Sequence, residues 1–376
     1  MIIIKKFKTF LLYFFKAKWK MNLPKKNKFV LFDGQYNPFL KYIKKKNFTI
    51  LYRRGEEINL NILIRCFFKL KFTSLDYCVE FIKQVSPKSI LTAFDYYTLF
   101  YKLSNSTGIH TLMIQKGKRA KSEGIVHDAS FYFPKNSKKI FSVNHMLVFC
   151  ESVKKFYSNK IRGKFYEIGS FENNFTKINL KKQKKQIIFI SNYSKQNQNS
   201  KYKSENEDII ALQLFILAKK NNLKFNILPR FRNDPLLIKE EIKFYKKKIN
   251  FDINFILNKK KSSYDILSNY KYIFASYSTI AQECLVKGCK VGFIMFKSKN
   301  NPAYDYRFGY FEKLKKYGLF WTSFSKLNQK EIARVFNYVI KTNYNKWINE
   351  TKKYSKKIMS YDYKNKQFKK ILKKYI

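Results

Sequence analysis

Compact apolar runs separated by polar, lysine-rich stretches recur along this chain. Between many of them, apolar positions return every three or four residues, which is helix spacing. In the first half, strands are predicted at 28–33 (KFVLFD), 48–53 (FTILYR), 89–95 (SILTAFD), His110–Gln115, His145–Phe149 and Lys164–Ile168. Helices are predicted over Asn59–Leu70, Leu75–Gln84, from Tyr97 onward, and over Ser152–Ser158. The polar stretch Phe171–Gln186, with KKQKKQ inside it, reads as a linker. The alternation then resumes, with strands at 187–191, Phe225–Leu228, Ile253–Leu257, Tyr272–Ala275 and Lys290–Ile294. Helices are predicted over Glu205–Asn221, Leu236–Lys247, Tyr264–Asn269, Thr279–Lys287, 328–342 and 344–375.

Strands alternating with helices in both halves imply an α/β chain of two Rossmann-like parallel-sheet domains facing a cleft. The expected division is 25–175 and 176–342, with a C-terminal helix at 343–376 that can cross back to the first domain. Residues 1–24 stand apart. Phe7, Phe10, Leu11, Phe14 and Phe15 form one helical stripe, with Lys5, Lys16 and Lys20 opposite. Phe10–Phe15 falls far short of the roughly 20 residues that span a bilayer, and no small-residue cleavage site follows it. Two readings fit: a basic amphipathic helix on an anionic membrane surface, or a helix packed on the protein's own core.

Composition changes this picture only in part. The 376 residues carry 78 Lys+Arg against 25 Asp+Glu, a formal charge of +53, which points to anionic partners. Lys, Asn, Ile, Phe and Tyr share A/T-rich codons, so base composition can supply much of the lysine. The lysines are spread along the chain, and no RNA-recognition, KH, zinc-finger or helix-turn-helix signature appears. No specific nucleic-acid partner is therefore expected, although nucleic-acid binding remains an alternative reading. Five cysteines without a CxxC pair and three histidines without zinc spacing argue against a metal site and against Cys–His catalysis. A reducing cytoplasm fits them. Neither GxGxxG nor GxxxxGK[ST] is present.

In open parallel sheets, ligands sit beyond the carboxyl ends of the strands. After the strand ending at Ala275, Ser276, Ser278 and Thr279 precede a helix, with Glu283 one turn inside it. Such a loop offers N–H groups, hydroxyls and the positive helix end to a phosphate; the alternative is a plain N-cap with a solvated Glu283. Arg230 and Arg232 follow another strand and suit phosphate. Ser191 and Asn192 end the second domain's first strand. In the first half, Asp95 ends a strand as a candidate base or a helix cap. Glu56 is a second base candidate beside Arg54, and Gln115, Lys116, Gly117 and Arg119 form a basic loop.

These stretches resemble a family of bacterial surface-carbohydrate biosynthesis proteins similar to GT-B glycosyltransferases. SYSTIAQECLVKGCKVGFI is similar to its "STLGYEALARGKKVAFF" segment, and RRGEEIN to its "RGESIN" segment. FDYYTLFYKL with IQKGKR, EIGSFENN, LPRFRND, EEIKFY and the SY of SSYDIL follow in the family's order. Lys116 stands where the family has Asn, and Tyr96 and Tyr97 replace an Asn pair. The resemblance implies a glycosyltransferase of capsule or lipopolysaccharide synthesis, which the basic N-terminal helix would hold on the inner face of the cytoplasmic membrane against its anionic lipids. Its donor would be a nucleotide sugar and its acceptor a glycan or glycolipid, with no cofactor and no metal. Donor contacts would fall on Ser191, Asn192, Arg230, Ser276, Tyr277, Ser278, Thr279 and Glu283. The acceptor side would hold Arg54, Gln115, Lys116, Gly117 and Arg119, with Asp95 or Glu56 taking the hydroxyl proton. A non-catalytic scaffold of the same fold is the remaining alternative.

Overall fold

A computed structural model describes residues 16–34, 38–52, 56–95, 97–116, 137–180, 183–193, 207–249, 253–276, 278–296 and 317–374. In the first half the strands are Lys18–Lys20 (β1), Phe29–Phe32 (β2), Phe48–Leu51 (β3), Glu57–Asn59 (β4), Ser89–Thr92 (β5), His110–Ile114 (β6), Ser142–Val148 (β7) and Arg162–Glu167 (β8). The helices are Leu60–Phe68 (α1), Ser74–Val85 (α2), Thr98–Thr107 (α3), Ser137–Ile140 (α4) and Glu151–Ser158 (α5). Six strands form a parallel sheet in the order β3-β2-β5-β6-β7-β8.

Both faces of the central strands are covered, so β2 and β5 are buried along their whole length. Val30 and Phe32 of β2 face the core made with Ile62, Ile82 and Phe100. Phe29 and Leu31 face the opposite core, with Phe39, Ile43 and Phe171. Asn59 starts α1: its side chain accepts from the Ile62 N–H at 3.1 Å and donates to the Asn22 carbonyl at 2.7 Å. Asn59→Ala should cost about 1–2 kcal/mol, read as a lower denaturant midpoint at an unchanged slope.

The second half contains strands Lys184–Ile190 (β9), Phe225–Leu228 (β10), Asn254–Phe255 (β11), Tyr270–Ala275 (β12), Lys290–Phe296 (β13), Tyr317–Gly318 (β14) and Trp321–Phe324 (β15). Helices Glu207–Lys220 (α6), Pro235–Lys246 (α7), Ser263–Leu267 (α8), Thr279–Val286 (α9), Gln329–Lys341 (α10) and Tyr344–Ile358 (α11) accompany them. The sheet order is β11-β10-β9-β12-β13-β15-β14, parallel except at β14. The order reverses between β9 and β12 here, and between β2 and β5 in the first sheet. Those are the switch points where open α/β sheets hold ligands.

The chain then returns to the first sheet. The expected single helix over 344–375 is broken, because Met359 is extended at the end of α11. The Ser360 N–H bonds the Phe149 carbonyl, and Tyr361 bridges Gly169. Lys366–Leu372 (α12) follows, and its Phe368, Ile371 and Leu372 pack into the core beside Phe29 and Leu31. Gly169 has φ +73, and a Cβ there would run into the Ser360 carbonyl. Only glycine fits this crossing.

Other expectations are also corrected. Residues 1–15 of the N-terminal helix lie outside the described residues. Lys18–Lys20, expected to end that helix, pair with β4 in parallel instead. The linker 171–186 is shorter than expected, since β9 begins at Lys184. The strand expected over 253–257 is reduced to β11, and β15 was not anticipated.

Candidate active site

The helix that follows β12 begins without a side-chain cap. Ser278 occupies the cap position with extended backbone, yet its hydroxyl makes no capping bond. The plain N-cap reading therefore fails for Ser278, and the helix start is left for another partner. Just before it, the Ser276 hydroxyl is buried and turns toward the Glu207 carboxyl group. Thr279 and Ile280 open α9 and line a cavity of about 190 Å³. The opposite wall comes from the first sheet's carboxyl ends, namely Ala93 after β5 and Ile114, Gln115 and Lys116 at β6. Pro38, the segment Ser170–Phe171–Glu172 and Tyr264 of α8 also line it. The cavity thus lies between the two sheets, at the ends where ligands bind.

Glu283 lies one turn inside α9, with its carboxyl group in this wall and only 3% exposed. Ser170 and Tyr264 hydroxyls turn toward the carboxyl group, while Oε2 has no hydrogen-bond partner among the described residues. Burial raises its pKa to about 7, opposed by the two hydroxyls and assisted by the nearby Glu172 charge. Burial likewise raises Glu172 at the rim, and it raises the Tyr264 hydroxyl strongly. A carboxyl group so placed can exchange a proton near neutral pH or accept from a sugar hydroxyl.

Ser170, Glu172 and Tyr264 were not among the expected site residues. The signal for them existed, because EIGSFENN and the SY of SSYDIL are two of the blocks that carried the resemblance.

The remaining expected residues divide sharply. Gln115 is buried and its Oε1 accepts the Phe149 N–H at 2.8 Å, so it is a structural wall of the cavity. Lys116 is exposed beside it, its ammonium 5.2 Å from the Phe94 ring. Arg230 is exposed at the end of β10 and donates to the Tyr193 carbonyl at 3.3 Å. Arg232 is buried and donates to the Asn258 carbonyl at 3.1 Å, which commits it to the fold.

Asp95 does not face the cleft. It is fully buried in the first domain, where its Oδ2 accepts the Tyr157 hydroxyl at 2.8 Å. Its position at a strand end does not make it an acceptor base. Glu56 is half-buried next to β4, and its carbonyl accepts the Lys18 N–H at 3.0 Å; it does not line the cavity. Arg54, Gly117, Arg119 and Tyr277 lie outside the described residues.

Ser191 and Asn192 serve the loops instead of presenting free groups. The Tyr245 hydroxyl donates to Ser191 Oγ at 2.8 Å, and the Asn192 N–H donates to the Glu207 carboxylate at 3.0 Å. Glu241 accepts the Arg230 and Phe231 N–H groups at 2.9 and 3.0 Å. Two buried carboxyls thus hold the loops after β9 and β10. Burial raises Glu207 to about 7 and also lifts Glu241, each opposed by its hydrogen bonds.

A family described as "putative O-antigen biosynthesis protein" matches residues 112–376. The chain belongs to this family. The matched span contains Glu283, the start of α9, and the Ser170–Glu172 segment. No curated protein matches the chain. Among solved structures, it is similar to a form of the wall teichoic acid polymerase TagF, at 12% identity and a TM-score of 0.51. That match covers 100% of this chain and 95% of the other. It is also similar to the pneumococcal O-GlcNAc transferase GtfA in complex with UDP and GlcNAc, at 12% identity and a TM-score of 0.45, over 80% of this chain and 60% of that one. A third similar structure is TarM, at 16% identity and a TM-score of 0.41, over 80% and 58%. The chain spans less than two thirds of GtfA and of TarM. The family member has the two parallel-sheet domains of the GT-B fold, as its TagF likeness and its sheet orders agree.

Proposed function

We propose that this O-antigen family member is a glycosyltransferase. It takes a nucleotide-sugar donor and passes the sugar to a cell-surface glycan or glycolipid, at the inner face of the cytoplasmic membrane. The observation that carries this reading is the buried Glu283 carboxyl group, whose Oε2 has no hydrogen-bond partner among the described residues, in the wall of a cavity lined from both sheets. A buried polar atom without a partner costs stability unless a ligand satisfies it.

In this reading the donor phosphates sit at the uncapped start of α9, against the Ser276, Ser278 and Thr279 hydroxyls. The N–H groups there and the exposed Arg230 meet the charge that develops on the leaving phosphate, so the step needs no metal. The cavity is smaller than the roughly 300–1,000 Å³ of a whole ligand site, which suits one sugar ring rather than the entire donor. Glu283 accepts from a hydroxyl of that sugar or of the ribose. The acceptor enters past Lys116 on the first domain's side. With Asp95 in the core, Glu172 at the cavity rim is the carboxylate placed to take the acceptor proton.

Thermal shift and calorimetry with UDP, CDP, GDP and CMP test the phosphate site. One of them should raise the melting temperature. Saturation at a hundredfold excess over Kd corresponds to about 2.7 kcal/mol of added stability. The absence of binding by all four, with no turnover of their sugar conjugates, would remove this reading. Binding without transfer to any acceptor would favour the scaffold.

A further inference from the structure

The end of α1 carries a hydrophobic tip that the donor chemistry does not use. Its sequence, Phe67-Phe68-Lys69-Leu70-Lys71-Phe72, interleaves apolar residues with lysines. Phe67, Phe68, Leu70 and Phe72 are 64%, 80%, 79% and 70% exposed. The rings form one cluster, with Phe67 centred 6.1 Å from Phe68 and 6.2 Å from Phe72. Ile64 extends the apolar face one turn back along α1 and is also exposed. Exposed aromatics gathered in one place mark an interaction surface.

The backbone here favours display over local comfort. Lys71 N–H bonds the Cys66 carbonyl and Leu70 N–H bonds the Phe67 carbonyl. This is a Schellman helix end, in which the residue at the Leu70 position is left-handed and usually glycine. Leu70 has φ 53 and gains no burial from it.

We propose that this tip inserts into the headgroup region of an anionic bilayer. Two features select a bilayer over a protein partner. The four apolar side chains at the tip are each mostly exposed and so stand out from the chain's own packing. Aromatic rings with lysines between them also match an interfacial layer, where rings sit at headgroup depth and lysine stems reach phosphates. The surrounding charge agrees. Arg65, Lys69, Lys71 and Lys83 stand near the tip against two acids, Glu80 and Asp76. Glu80 is largely buried and shared among the three lysines. Among the described residues no helix is long and apolar enough to cross a membrane, so this contact is peripheral. The proposal does not depend on the donor reading.

Co-sedimentation of the full chain with vesicles of phosphatidylglycerol and phosphatidylethanolamine, against phosphatidylcholine alone, tests it. The wild-type chain should bind the anionic vesicles. The Phe67→Ser/Phe68→Ser variant should bind about tenfold more weakly or less, in line with the apolar area withdrawn from the interface, at an unchanged melting temperature. Leu70→Gly fits the left-handed position better, so it should weaken vesicle binding without lowering the melting temperature. Unchanged vesicle binding by the double variant overturns the proposal. A large fall in its melting temperature also overturns it, because the tip would then be packed against the chain itself. So does a wild-type dimer that the double variant disperses, which would assign the tip to a second copy.

Discussion

Glu283→Gln is expected to lower kcat/KM by about 10²–10³-fold while leaving the fold intact, the magnitude of removing one preorganised group from a transition-state site. Glutamine keeps the size of the side chain and its contact with the Ser170 and Tyr264 hydroxyls. It removes the charge and the proton that the raised pKa makes available near neutrality. The wild-type pH profile should show a limb near pH 7 that the variant lacks. Stability supplies a readout that needs no substrate. The folded pKa of Glu283 lies at about 7, above the ordinary 4.5 of the unfolded chain. Between those values the native state binds more protons, so stability falls as pH rises through this window. The slope is on the order of 1.4 kcal/mol per pH unit for one such group. Glu207 has the same displacement and contributes in the same direction. The difference in unfolding free energy between Glu283→Gln and wild type should therefore grow in the variant's favour from about pH 4.5 to 7. Parallel stability curves would show that Glu283 is not buried as described.

Much of the architecture was legible because both faces of each central strand are covered. FVLF, SILT and FNIL have no polar face, so their runs stand out from the lysine-rich loops around them. The start of α9 was legible as a helix start, because hydroxyl residues between a buried strand and an apolar-periodic run mark a helix N-terminus. What stayed hidden depends on where a side chain turns. Asp95 and Ser276 both follow a strand, yet Asp95 turns to Tyr157 within the first domain, while Ser276 turns to the Glu207 carboxyl group of the second. Nothing local distinguishes them, since Tyr157 lies 62 positions away. Ser191 is similar, because its partner Tyr245 is 54 positions away. The break after Ile358 was hidden because lysine-rich helical spacing continues through it. The break exists because backbone groups of Ser360–Asp362 bond Phe149, Gly169 and Ile168 across the molecule.

Lys287→Met should be the second large effect, lowering stability by about 2 kcal/mol and raising KM for the donor. Thr279, Glu283 and Lys287 are spaced at four, so they share one face of the α9 helical path. The first two line the cavity, and the third reaches the segment that joins the two sheets. Its ammonium donates to the Asn173 carbonyl at 2.6 Å, to Asn173 Oδ1 at 2.7 Å and to the Thr176 carbonyl at 2.5 Å. It also lies 5.1 Å from the Tyr361 ring, on the returning C-terminal segment. All three donors of one lysine are thus spent on the connection between the domains. The same connection supplies Ser170 and Glu172 to the cavity, so the helix that would hold the donor is tied to the segment that would meet the acceptor. Methionine fills the space but makes none of these bonds. Charge-assisted bonds are worth about 1.5–3 kcal/mol each before water replaces them, and access to water reduces the net loss to the smaller figure. Arginine should not rescue it, because a planar fork cannot address three oxygens gathered around one ammonium. A melting temperature within error of wild type, with donor KM unchanged, would show that the two sheets hold their relation without Lys287.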